Sequence, residues 1–115
     1  MMSSYSVIVH PIASNQFESH IEFLAQVSIK LANDIIDEFE KLEKALAANP
    51  TSFPMFYKNY RKAIIKPRYA VLFEIVGSDV FVDKILDMRQ SEYNNIVLEQ
   101  NDEPVSDGIS PEDTE

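Results

Sequence analysis

Lys58, Arg61, Lys62, Lys66 and Arg68 put five of the chain's ten basic residues into the eleven positions 58–68, a stretch without Asp or Glu. Cations at that density neutralise phosphate oxygens, and Tyr60 among them offers a ring on which a base can stack. Because the whole chain has a formal net charge of -9, the run is a local reversal of sign. A patch of this kind governs the encounter with a polyanion more than the net charge does. Arg89, near the end of the segment 58–90, adds a further cation to the candidate site.

The acidity is unevenly placed. Residues 99–115 hold seven of the nineteen acids and no base, which leaves twelve acids against ten bases in residues 1–98. That division predicts a nearly neutral domain over 1–98 and an acidic, disordered tail over 99–115. A chain of 115 residues, 45% apolar and with seven Phe and five Tyr, can close one core. Cysteine is absent, so disulfides, thiolate catalysis and Cys-based zinc sites are excluded. With two glycines, Gly77 and Gly108, there is no Gly-rich phosphate loop and no nucleotide cofactor is expected. No stretch approaches the roughly 20 apolar residues of a membrane span, and the N-terminus lacks signal-peptide character. A cytoplasmic protein without a membrane partner is the expectation.

The elements that must position the cations follow from periodicity. Tyr5, Val7 and Val9 alternate with Ser6, Ile8 and His10 before Pro11, a strand that Ile8 suggests is covered on both faces. Phe17, Ile21 and Leu24 predict a helix over about 13–27. Leu31, Ile35, Phe39, Leu42 and Leu46 predict a second helix, with Ser28 as its N-cap and Asn49-Pro50 as its stop. A junction so short makes the pair an αα-hairpin. Residues 48–60 read as an aromatic-rich loop whose Phe53 and Phe56 pack back on the core. Residues 61–66 alternate as a strand with Lys62, Ile64 and Lys66 on one face. Tyr69 to Val76 is apolar enough to be central, and Gly77-Ser-Asp turns the chain back into Val80 to Met88. Tyr93, Ile96 and Val97 fit either a short helix or an extended segment. The order is β-α-α-β-β-β, an α+β domain with an antiparallel sheet carrying the αα-hairpin on one face.

This order resembles the RelE/ParE superfamily of bacterial type II toxin-antitoxin toxins. The resemblance runs from Tyr5-Ser-Val-Ile-Val-His-Pro through Asn49-Pro-Thr-Ser-Phe-Pro, Tyr60-Arg-Lys-Ala-Ile-Ile and Arg68-Tyr-Ala-Val-Leu-Phe-Glu-Ile to Ile85-Leu-Asp-Met-Arg-Gln. It implies a concave, basic sheet face, a separate antitoxin partner, and a target that is either messenger RNA on the ribosome or DNA gyrase. Metal-independent RNA cleavage needs a group acting on the 2′-hydroxyl, cations for the developing phosphorane charge and an aromatic for the base. Lys62, Lys66, Arg89 and Tyr93 are the catalytic candidates, and Lys58, Arg61 and Arg68 the phosphate-binding ones. Lys62 and Lys66 match in type the lysines of the RNA-cleaving branch. Where that branch has an Arg, this chain has Ala70, with Arg68 two residues earlier. The gyrase-inhibiting branch often has an Arg pair after the last strand, of which Arg89-Gln90 keeps one. Messenger RNA cleavage is the expected mechanism; gyrase inhibition without catalysis, or an inactive fold relative that only binds an antitoxin, are the alternatives.

The remaining titratable groups carry bland readings. His10 and His20 have no partner at ligand spacing, so no metal is expected, and capping or surface roles account for them. Asp83 and Asp87, four apart on a strand, would share a face at about 13 Å, too far for a shared proton. A salt link from them to the neighbouring basic strand is the expectation.

Overall fold

Ser28 is the only residue between two helices, α1 (Pro11–Val27) and α2 (Ile29–Ala48). Its extended backbone breaks the helical path, its N–H closes α1 on Leu24 O at 2.7 Å, and its hydroxyl accepts from Leu31 N at 3.1 Å to start α2. At the other end of α1, Pro11 stands in the first turn and the His10 ring accepts from Ile12 N at 3.1 Å. The apolar stripe of α2 is buried at Ala32, Ile35, Phe39, Leu42 and Leu46, and Phe17 of α1 meets Phe39 with ring centroids 4.6 Å apart.

The computed structural model describes residues 4–102, and the side chains of residues 4–99. Its strands are β1 (Ser6–Val9), β2 (Met55–Tyr57), β3 (Tyr60–Ile65), β4 (Tyr69–Val76) and β5 (Asp79–Asp87), and a third helix, α3 (Ser91–Asp102), follows. They form one sheet in the order β1-β5-β4-β3-β2. The expected α+β order is present, and β4 is central as expected, with Tyr69 to Phe73 buried on both faces. Four details differ. β1 pairs parallel with β5, so the sheet is mixed. Ile8 is 41% exposed, so β1 is a one-sided edge strand instead of one covered twice. The loop 48–60 contains β2 and a hairpin turn at Lys58-Asn59, where Lys58 takes a left-handed φ of 52°. Finally, α3 continues past the expected boundary at residue 98, and residues 103–115 of the expected tail lie outside the described residues.

Gly77 sits at φ +62° as the first of two residues linking the paired Val76 and Asp79. Positive φ at that position alone is the pattern of a type II′ turn, which suits the twist of the strands it joins. Ala63, Ile65, Val71, Phe73, Val80, Val82 and Ile85 make the core under α1 and α2. On the opposite face, Ala70, Leu72 and Leu86 form a smaller cluster with Tyr93, against which Ile96 and Val97 of α3 also pack. No helix among the described residues is long and apolar enough to cross a membrane.

Two features of β5 shape everything near the site. The register with β4 shifts by one residue at Asp83, so Val82 and Ile85 both face the helices although three positions apart. β1 pairs only with Asp79 to Val82, ending at a bond from His10 N to Val82 O of 2.9 Å. Beyond it, the outer edge of β5 would be bare. Gln16 and His20, one turn apart on α1, replace the missing strand: Gln16 Oε1 accepts from Ile85 N and His20 Nε2 donates to Ile85 O, both at 2.8 Å. Ile85 is fully buried, so neither bond can pass to bulk water. Gln16→Leu should therefore cost about 1–3 kcal/mol by stranding the Ile85 N–H. Gln16→Glu, which keeps the acceptor, should stay closer to wild type in urea unfolding; equal midpoints for both variants would contradict this role.

Candidate functional site

Strand alternation divides the expected cationic cluster. Tyr60 and Lys62 of β3 face the sheet side away from α1 and α2, whereas Arg61, Ala63 and Ile65 face the helices. Arg61 is used as a clasp: its guanidinium donates to Phe53 O at 2.7 Å and Thr51 O at 3.4 Å, fixing the segment that leads into β2. Lys66 lies beyond the end of β3 and is exposed. Lys58 is at the tip of the β2–β3 hairpin, 5.2 Å from the centre of the Tyr57 ring.

Lys62 and Tyr93, two expected catalytic residues, are brought together. Lys62 Nζ donates to Tyr93 Oη at 2.9 Å and lies 4.2 Å from the Phe56 ring centre. The Phe56 and Tyr93 rings stand 5.8 Å apart and nearly parallel, at 5°. A half-buried ammonium beside two aromatic rings gains cation–π attraction in place of part of its hydration. The arrangement ties α3 to the sheet.

Arg68 and Arg89 converge on Asp87. Asp87 is 4% exposed, and Arg89 grips its carboxylate three times: from its backbone N–H to Oδ1 at 2.8 Å, from Nε to Oδ1 at 3.3 Å and from Nη2 to Oδ2 at 3.3 Å. Arg68 Nε lies 3.3 Å from Oδ2, as a charge contact without hydrogen-bond alignment. The expected salt links from Asp83 and Asp87 to the basic strand are thus met only in part: Asp87 pairs with Arg68, in the turn after that strand, and with Arg89, while Asp83 forms no ion pair among the described residues. Burial alone would push the Asp87 carboxyl up; the bonds from Arg89 and the charges of Arg89 and Arg68 outweigh it and hold the group below the ordinary value of 3.8. The Arg89 side chain remains 62% exposed beyond this anchor. It stands at a cavity of about 360 Å³ between α1 and the end of β5, which Gln16, His20 and Phe23 also line.

Sequence reasoning passed over Glu74, which lies inside an apolar strand. The bulge at Asp83 puts Asp83 on the face away from α1 and α2, where it meets Glu74, while Asp87 is enclosed near His20; the two aspartates do not share a face. The hydrogen bond to Asp83, then burial, then the Asp83 charge raise the Glu74 carboxyl above its usual value. Tyr60 beside them is raised too, first by burial and then by the two acids. Cross-strand register could have flagged this contact, but the bulge that creates it has no local signature.

The ion triad yields a pH prediction. Because the folded value of Asp87 is depressed, its contribution to stability is complete above about pH 4 and is lost as pH falls through the lower folded value. Asp87→Asn should cost about 2 kcal/mol at pH 7, on the scale of hydrogen bonds to a charged group. It should also flatten the pH dependence of the urea midpoint below pH 4. An acid limb identical to that of wild type would refute the assignment.

Comparison with known proteins converges on one family. A family model described as the ParE toxin of a type II toxin-antitoxin system, parDE, matches residues 7–92. A solved structure described as the chromosomal ParDE TA system from P. aeruginosa is similar with a TM-score of 0.61 and 13% identity, over 72% of this chain and 95% of that one. At that identity the likeness concerns the fold alone. No curated protein is a match. With most of its length, from β1 to the first turn of α3, matched by the model, the chain belongs to the ParE toxin family of type II toxin-antitoxin systems.

Proposed function

We propose that this toxin acts by binding its target and not by cleaving RNA, as a non-enzymatic inhibitor of DNA gyrase held in check by an antitoxin. The observation that carries this reading is the engagement inside the fold of one expected catalytic cation, Lys62, and two expected phosphate-binding ones, Arg61 and Arg68. Arg61 serves backbone carbonyls, Lys62 is held between Tyr93 and Phe56, and Arg68 is drawn onto Asp87. Stabilising a phosphorane requires cations aimed at a shared point in space, and these aim at three separate points. Arg89 is different: Nε and Nη2 of its guanidinium are anchored on Asp87 while most of its side chain stays in solvent, just after the last strand. A guanidinium held in place loses little freedom when it meets a partner carboxylate or phosphate.

Purified protein should inhibit supercoiling by gyrase, and its induction in a bacterium should raise a DNA-damage response with messenger RNA left intact. Arg89→Ala should weaken inhibition about tenfold, the loss expected for one charge-assisted contact of about 1.4 kcal/mol. Circular dichroism should be unchanged, because Arg68 still balances Asp87. Fragmented messenger RNA with normal supercoiling would reverse the reading in favour of the nuclease.

A further inference from the structure

Asp87 engages Arg89 along one edge of the guanidinium only. Nε and Nη2 donate to the carboxylate, so the other edge, made by Nη1 and the second N–H of Nη2, has no acceptor among the described residues. That edge is a planar fork that fits a carboxylate through two parallel bonds. The anchor on Asp87 also holds it in place before a ligand arrives, which lowers the entropic cost of binding.

The surroundings suit an anion with an apolar neighbour. Two guanidiniums, those of Arg68 and Arg89, face the single Asp87 carboxylate, which leaves the triad one positive charge in excess. Glu92, the other acid at the cavity, is paired with Lys84 at 3.3 Å. Phe23 shares the cavity of about 360 Å³ with Arg89 and is 54% exposed, so an apolar ring lies open beside the cation. Buried Tyr69, Ile85 and Leu86 back the same cavity.

The chain itself carries that combination after α3. Residues 103–115 hold Glu103, Asp107, Glu112, Asp113 and Glu115 and no Lys or Arg, and Val105 and Ile109 stand between the acids. Reach is sufficient. α3 starts at Ser91, between the Gln90 and Glu92 that line the cavity, and its 12 residues put Asp102 about 17 Å from that start. The stretch from Glu103 to Glu112 spans up to about 33 Å when extended, enough to return along α3 and pass the end of β5. The sheet face away from α1 and α2, which α3 leaves partly open, is no rival seat, because Glu74 and Asp83 repel an acidic segment there.

We propose that the segment 103–115 of this chain docks on the cavity beside Arg89, with Ile109 against the Phe23 ring and the carboxylate of Glu112 or Asp113 on the outer edge of the guanidinium. The tether presents these acids to Arg89 at an effective concentration on the order of millimolar, so a contact too weak to hold a separate peptide is populated within the chain. The consequence for activity rests on the gyrase reading above: the segment covers the cation that meets the target, and inhibition reaches full strength only when the segment is displaced.

The absence of Cys makes the contact testable in the full chain, since Ser110→Cys gives a single attachment point for a nitroxide that broadens nearby amide signals in NMR spectra. At low salt the Ser19 and Phe23 amides of α1 should lose most of their intensity, and should recover it in about 1 M NaCl, where charges are screened beyond about 3 Å. Arg89→Gln should restore both signals. So should Glu112→Gln combined with Asp113→Asn, a variant that leaves every described residue as it is. No loss at these amides, a loss spread evenly over the domain, or a loss that both variants leave in place overturns the contact. Mixing isotope-labelled chain without nitroxide and nitroxide-bearing chain without isotope should give no loss; a loss there makes a second copy's segment the occupant and overturns the intramolecular assignment. The effect on activity is read separately. The Glu112→Gln, Asp113→Asn variant should inhibit gyrase supercoiling about tenfold more strongly than wild type, as freeing a site that is otherwise covered about nine-tenths of the time requires. Equal inhibition by the two proteins overturns the regulation. If neither inhibits gyrase, the gyrase reading and this regulation both fail, while the nitroxide result still decides the contact.

Discussion

Strand β5 is nine residues long and its edge partner β1 is four, and that mismatch organises the molecule. A strand edge enclosed by protein must find partners for its backbone, because an unmet N–H or C=O in the interior costs as much as several good contacts gain. The chain meets this requirement with the helix that leaves β1: α1 runs back along the exposed part of β5 and turns Gln16 and His20 onto Ile85. His20 is thereby drawn against Tyr69, with ring centres 4.8 Å apart, which fixes α1 to the central strand as well. The cavity beside Arg89 lies where this substitution of side chains for a strand ends.

Alternation along β3 explains why a run of positive charge in sequence is not a patch in space. Residues on one strand alternate between faces, and consecutive cations are therefore separated by the thickness of the sheet. Arg61 and Lys62 illustrate this, one clasping carbonyls near the αα-hairpin and the other held under α3. The bulge at Asp83 does the reverse with the acids, turning one aspartate outward to meet Glu74 and leaving Asp87 enclosed at the end of β5. A buried carboxylate needs compensation, and Arg68 and Arg89 supply it. Charge that reads as a binding site from sequence is thus partly consumed in keeping β4 and β5 together.

What was legible in the sequence is what depends on near neighbours. The helical stripes, the Ser28 cap, the Asn49-Pro50 stop, the Gly77 turn and the apolar β4 each follow from spacing or backbone preference within a few residues. The β2–β3 hairpin was not legible, because it turns on Lys58 in a left-handed conformation that Gly or Asn would normally announce. The parallel pairing of β1 joins residues more than seventy positions apart, and the bulge in β5 lies within the β4–β5 hairpin without a residue that announces it. For the site, type was legible and grouping was not: Lys62 with Tyr93 and Arg68 with Arg89 are real clusters, yet they are two clusters on different sides of the sheet.

The span shared with the ParE family ends at residue 92, one position before Tyr93, the residue that holds Lys62. Most of α3 lies outside the matched span, and its effect on the surface follows from where its apolar residues fall. By burying Ala70, Leu72 and Leu86 it removes the most apolar part of the open face from solvent. It also takes a lysine out of circulation, since Lys62 cannot meet a phosphate while its ammonium is between Phe56 and Tyr93. The face left over is mixed, apolar at Ile8, Phe81 and Val76 and acidic at Glu74 and Asp83. A surface of that composition is a poor seat for a phosphate, because two neighbouring carboxyls repel it and the lysine beside them, Lys84, is already paired with Glu92. Arg89, on the other side of the sheet and held by Asp87, keeps most of its side chain in solvent, so the accessible guanidinium and the acidic pair stand on opposite faces and do not neutralise each other.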